Sequence, residues 1–220
     1  MTSHGIEELF PVVDPDGNEI SRALRSVCHD GLSMLLHPVV HLHLFNEKGE
    51  LYLQLRAKTK DLLPGHWDTS VGGHMDPGET PEQALRREAL EELGLQDITF
   101  RLIDKYIWKS IRERELVYSF TGSSERIPLI NHDEIDDGRF WPVQEISANL
   151  GKNIFTPNFE FEFGKFFPES FYPQTPYLAP PKRLREGAEG GKNNTGRLGK
   201  RFMRNICQKS LSLYIIPICK

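Results

Sequence analysis

Cysteine is scarce in this 220-residue chain: Cys28, Cys207 and Cys219 are its only three. An odd number without metal or redox spacing points to a reducing compartment. Long apolar runs are missing as well. The first residues, MTSHGIEELF, contain no basic region followed by an apolar stretch, so no signal peptide is expected. No uninterrupted run approaches the ~20 residues needed to span a bilayer. SLSLYIIPI near the end is apolar but short and broken by Pro217. The expectation is a cytoplasmic protein without membrane contact, in which the Asn193-Asn194-Thr195 sequon carries no weight. Neither charge sign dominates, and the net formal charge is only −4. Its distribution is uneven: residues 182–220 hold ten Lys or Arg against two Glu, a balance of +8, which leaves −12 for residues 1–181. Composition there, with Gly, Asn and basic residues after a Pro-rich stretch, predicts a basic tail of low order over 174–220. Nucleic acid is not expected as a partner.

What the chain does have is concentrated between Gly73 and Leu95, GHMDPGETPEQALRREALEELGL. Thr80 followed by Gln83 is a capping box, and Pro81 takes the first helical position, where its missing N–H costs nothing. Good helix formers run from Pro81 to Leu93, and Gly94 supplies a left-handed stop. This register predicts Glu88, Glu91 and Glu92 on one face at i, i+3 and i+4, with Leu85, Ala89 and Leu93 as an apolar stripe. Stacked carboxylates repel unless a cation neutralises them, and hard divalent ions favour carboxylate oxygens together with substrate phosphates. The alternative is a solvated acidic face. Ala84, predicted to leave room beside the glutamates, and a Gly-rich loop able to approach phosphate favour the metal.

The segment resembles the Nudix box, G-x₅-E-x₇-R-E-U-x-E-E-x-G-U with U aliphatic. Gly73, Glu79, Arg87, Glu88, Glu91, Glu92, Gly94 and Leu95 all match, while Ala89 is smaller than usual. The resemblance implies an α/β fold, a Nudix-type α/β/α sandwich with a mixed β-sheet over about residues 6–170. It also implies metal-dependent cleavage, with Mg²⁺ or alternatively Mn²⁺, of a diphosphate linkage in a nucleoside-diphosphate derivative or related small diphosphate. Glu91 and Glu92 would be metal ligands and Glu88 a ligand or general base. Gly73 would offer its carbonyl, Arg87 would orient the glutamates, and Glu79 would fix the loop.

Outside the box, VVDPDGNEI, then VCHDGLSMLLHPVVHLHLFNEKGELYLQLRA, then LPGHWDTSVGGH, is similar to isopentenyl-diphosphate isomerase and nearby hydrolases. That enzyme holds a divalent metal through three histidines and two glutamates, which match His29, His37, His74, Glu113 and Glu115. Singly, each has an ordinary reading as a loop, turn or surface residue. His41 and His43 alternate in VVHLHLF and are expected on one strand face as satisfied polar groups. Two essentials of isomerisation are absent. Gly72 stands where the isomerase carries its proton-transferring cysteine, and Asn158 in FTPNF stands where it carries a tryptophan. Hydrolysis is therefore preferred, with isomerase activity or a non-catalytic nucleotide-binding module as alternatives. Trp67, Trp108, Tyr106 and Phe140 are candidates to stack on a base, although core positions are the commoner use.

A coarse pass predicts a hairpin around DPDGN and a second around NEKG. A loop through LPGHWDTSVGG then leads to the Nudix helix. TFRLIDKYIW and ELVYSFTG follow as strands, RFWPV begins another, and helices are expected at VQEISANLG and FTPNFEFEFGKFF. The partner expected is a small diphosphate, and a homodimer is compatible with the sequence.

Overall fold

In a computed structural model of the chain, residues 7–124 and 126–167 are described. Strands β1 (Leu9–Val13) and β2 (Glu19–Leu24) form the first predicted hairpin as a separate two-stranded sheet. The side chain of Asp14 accepts from the backbone N–H groups of Asp16 and Asn18 at 2.9 Å each, and so closes the turn. A four-residue helix α1 (Arg25–Cys28) leads into the main sheet.

That sheet has seven strands: β3 (Leu36–Phe45), β4 (Leu51–Arg56), β5 (Trp67–Asp68), β6 (Val71–His74), β7 (Thr99–Lys109), β8 (Arg114–Ser123) and β9 (Ile135–Trp141). The order along the main path is β5-β4-β3-β8-β7, with β6 added to β3 and β9 to β4. β3 and β8 run parallel and the other pairs antiparallel, so the sheet is mixed.

The second predicted hairpin is corrected in one respect. β3 meets β4 only at Phe45↔Leu51 before the strands diverge, and the freed edge of β3 pairs instead with β6 from Val39↔His74 to Leu42↔Val71. The stretch expected as a loop thus contributes β5 and β6. RFWPV does not begin a strand but ends one: β9 starts at Ile135 and stops before Pro142, which lacks the N–H a ladder needs.

Helix α2 (Pro81–Leu93) has both arms of its capping box and ends on Gly94 at φ 64°. It buries Leu85, Ala89 and Leu93 against Val40, Leu42, Leu44 and Val71 on one side of the sheet. Ala84 joins this core rather than opening space beside the glutamates. Helices α3 (Val143–Asn149) and α4 (Pro157–Phe166) cover the other side, where Phe155, Phe159 and Phe163 pack with Leu51, Leu53 and Trp141. In that core Trp67 meets Trp141 edge-on at 5.1 Å. Helices on both sides of a mixed sheet make the predicted α/β/α sandwich. Among the described residues no helix is long and apolar enough to cross a membrane. The predicted tail, Cys207 and Cys219 lie outside the described residues.

Candidate active site and metal centre

Strand β6 is the thin wall between two clusters. An ideal Cβ on Gly73 would lie 2.0–2.5 Å from the carboxyl atoms of Glu88, whereas one on Gly72 would point to Thr69 and His41. Successive residues of a strand face opposite sides, so Gly73 serves the α2 side and Gly72 the other.

On the α2 side the glutamates do not share one exposure. Glu88 and Glu92 turn inward, 9 % and 4 % exposed, while the side chain of Glu91 is 56 % exposed. Arg87 ties the group together. It donates to Glu79 Oε1 and Oε2 at 2.9 Å each, to Glu88 at 2.8 Å, to Glu91 at 3.2 Å and to the His74 carbonyl at 2.8 Å. Glu79 also accepts from the Asp76 N–H at 2.9 Å, which fixes the loop before the helix. Glu92 accepts from Gln54 Nε2 at 3.1 Å and from the Gly72 N–H at 3.3 Å. Gln54 comes from β4 and Gly72 from β6. Burial raises Glu88 to about 7, against the pull of Arg87, and raises Glu92 to about 8, with repulsion from Glu88 and Glu134 adding to it. Gln54 and Glu134 were not singled out in the sequence, where nothing in their immediate neighbours marks them.

On the other side five residues from four segments converge. His29, His37 and His74 bring one ligand atom each within 4.8 Å of one another, as do His37, Glu113 and Glu115. His29 Nε2 lies 3.2 Å from His74 Nε2 and 3.3 Å from Glu113. His37 Nδ1 lies 3.0 Å from the Leu35 carbonyl, which holds the proton on that nitrogen, and its buried Nε2 has no partner among the described residues. A lone pair orphaned in this way suits a cation. Phe10 of β1 stacks on His74 at 4.1 Å and 11°. Burial lowers His29 to about 4, lowers His37, and takes His74 well down, so all three are neutral near pH 7. Burial also raises Glu113, and raises Glu115 to about 8 with the help of Glu113. Such a mixed nitrogen and oxygen donor set fits a divalent ion. Glu88, Glu91 and Glu92 do not form a comparably close trio. The Arg87 guanidinium gathers Glu88 and Glu91.

The alternating histidines of β3 face α4, and their partner, Glu162, was not foreseen. Its buried Oε2 lies 3.0 Å from His41 Nδ1 and 3.2 Å from His43 Nε2, the latter outside hydrogen-bond geometry. His43 is therefore not satisfied in the way expected. Asn158, in the place of the isomerase tryptophan, accepts from the Tyr106 hydroxyl at 2.8 Å. Of the candidate stacking residues, Trp67 and Phe140 pack on the two cores, and Trp108 stands opposite Glu115 in the β7–β8 register, 5.5 Å from Phe161.

The NUDIX domain model matches residues 35–159. An uncharacterized Nudix hydrolase of Listeria monocytogenes is 34% identical over 125 residues, 56% of this chain and 74% of that protein. Isopentenyl-diphosphate Delta-isomerase 2 of Photorhabdus laumondii is 30% identical over 158 residues, 69% of this chain and 88% of that enzyme. A solved Deinococcus radiodurans structure superposes with a TM-score of 0.63 at 22% identity, over 73% of this chain and 99% of that one. At that identity the likeness speaks for the fold alone.

Proposed function

We infer the working parts from one premise: the chain belongs to the NUDIX domain family. It is a metal-dependent hydrolase that cleaves diphosphate linkages. We propose a nucleoside-diphosphate derivative or related small diphosphate as substrate, and Glu88, Glu91, Glu92 and the Gly73 carbonyl as the groups that hold the metal working on it. The observation that carries this reading is the Gly73–Glu88 contact, because the glycine keeps an inward carboxylate where any side chain would displace it.

Divalent ions, Mg²⁺ or Mn²⁺, supply charge neutralisation on phosphoryl oxygens and an acidified water. The chain's own residues do the rest. Arg87 keeps the Glu88 and Glu91 oxygens aimed and braces β6 through the His74 carbonyl. Where Glu88 is not a ligand, burial raises its carboxyl to about 7, which suits a general base near neutral pH. Gln54 and the Gly72 N–H hold Glu92 from behind. His29, His37, His74, Glu113 and Glu115 would hold a second divalent ion.

The isomerase named among the relatives does not set the function here. Gly72 has no side chain to move a proton at carbon, and Asn158 is occupied by Tyr106. A binding module without catalysis would not need the full carboxylate set, which is intact.

Glu92→Gln is expected to lower turnover by at least about 100-fold, the scale of removing a group that acts on the transition state, with unchanged circular dichroism. Wild-type turnover by this variant across a diphosphate panel with Mg²⁺ and Mn²⁺ would refute the assignment.

A further inference from the structure

We propose that Phe10 is a positioning residue for the histidine cluster: its ring face holds the His74 imidazole flat and stabilises the positive charge that a bound divalent ion induces on it. The proposal rests on the second-ion reading above and deepens it.

The histidines are not held alike. A metal-binding histidine usually donates its second ring N–H to a carbonyl or carboxylate, which fixes the plane of the ring. His37 does so, through Nδ1 and the Leu35 carbonyl at 3.0 Å. Among the described residues the His74 ring has no such partner, and its hydrogen-bond contact is with His29 inside the cluster, at 3.2 Å. What lies along its flat face is Phe10, with ring centroids 4.1 Å apart and planes 11° from parallel. The same ring stands 5.7 Å from His37 and 5.8 Å from His29, so it borders all three.

Phe10 comes to the cluster from outside the main sheet. It sits on β1, opposite Ala23 of β2, and is buried. Further along β1, Val13 packs with Leu36 of β3 and Leu116 of β8. Those two strands also carry His37 and Glu115, which face each other in the β3–β8 register. The strand that presents the ring is thus anchored on the same framework as the ligands, by contacts that do not involve them.

Charge decides what the ring adds beyond packing. An aromatic ring is negative over its faces and positive at its edge. A neutral imidazole gains little from that negative face. An imidazole ligated to a dication has given up electron density, and is drawn to the face as cations are, more strongly where water is excluded. Arg25, the other cation near the ring at 5.7 Å, is tied to Glu8 at 2.8 Å. Phe10 therefore favours the metal-loaded cluster over the empty one.

The test titrates Zn²⁺ into the full chain and follows the ring nitrogens of His29, His37 and His74 by nitrogen-15 NMR, with affinity set by competition against a chelator. Wild type is compared with Phe10→Leu and with a graded series carrying mono-, di- and pentafluorinated phenylalanine at position 10. Fluorine withdraws charge from the ring face while the ring stays in place. In wild type the three histidines are expected to respond together. Phe10→Leu should weaken Zn²⁺ binding there at least about tenfold, the scale of losing a group that orients a ligand. The fluorinated series should weaken it stepwise, by at least about threefold overall, with the metal-free melting temperature unchanged. Equal affinity across the series, or affinity that falls only in step with the metal-free melting temperature, would overturn the proposal and leave the second-ion reading intact. Wild-type histidines that do not respond to Zn²⁺ would overturn both, without touching the carboxylate assignment on the α2 side.

Discussion

Glu88 and Glu92 keep their protons to about pH 7 and about pH 8, because burial penalises the charged forms. Their folded values stand above the ordinary carboxylate value, so the metal-free protein binds more protons folded than unfolded between about pH 4.5 and 8, and these two groups withdraw stability as pH rises through that window. Under the proposed metal assignment a cation must displace those protons. Divalent-ion affinity is therefore expected to rise from pH 6 to pH 8, with proton release readable by titration calorimetry in buffers of different ionisation enthalpy. At the histidine cluster His29 and His74 are already neutral there, while Glu115, raised to about 8, adds a slope of the same sign. A flat affinity across that range would contradict the burial assigned to the two carboxyls. Gly73→Ala isolates a steric effect at the same place: the new Cβ takes the space of the Glu88 carboxyl, a movable side-chain end. Turnover should fall at least about tenfold, as misplacement near the reacting atoms does, with little change in melting temperature. At this scale the sequence was most legible where a motif fixes spacing. Arg87 reaches the partners its position in the box implies. Glu162 was not legible, because it lies 121 residues from His41 and no local pattern announces that separation.

Among the elements, α2 was read almost to the residue because its start and stop signals are chemical and local: Thr80 with Gln83, Pro81, then Gly94. Thr80→Ala should cost about 1 kcal/mol in denaturant unfolding, with no loss of turnover once folded. The strands that frame the site were harder. Turn residues at NEKG predict a hairpin correctly, yet they say nothing about how far its strands stay paired, and β3 and β4 part after one pair. That parting depends on β6 competing for the β3 edge, a contact set by the whole sheet. It is also what lets Gln54 from β4 and Gly72 from β6 both reach Glu92. The short β5 and β6 lie in a Gly-containing stretch with little alternation, so periodicity could not separate them from loop.

For the whole molecule, the two larger apolar cores among the described residues share one sheet, with Phe120 in the first and Phe159 in the second. Truncation of either to Ala is expected to cost about 3–5 kcal/mol. Because each core packs on strands of the same sheet, both variants should unfold in a single transition. Separate transitions by calorimetry would show the layers to be independent. The sandwich itself was legible from the box and the order of elements. Which core each aromatic serves was not, since periodicity gives a face but not its partner.

The three tryptophans fall in two environments, and this makes the protein its own optical instrument. Trp67 and Trp141 cross edge-on inside the α3–α4 core, close enough for their transitions to mix into a near-ultraviolet dichroism couplet that vanishes when the core loosens. Trp108 stands apart on β7, opposite Glu115. Its emission would follow what binds beside Glu115, so one unlabelled sample can report folding by dichroism and occupancy by emission.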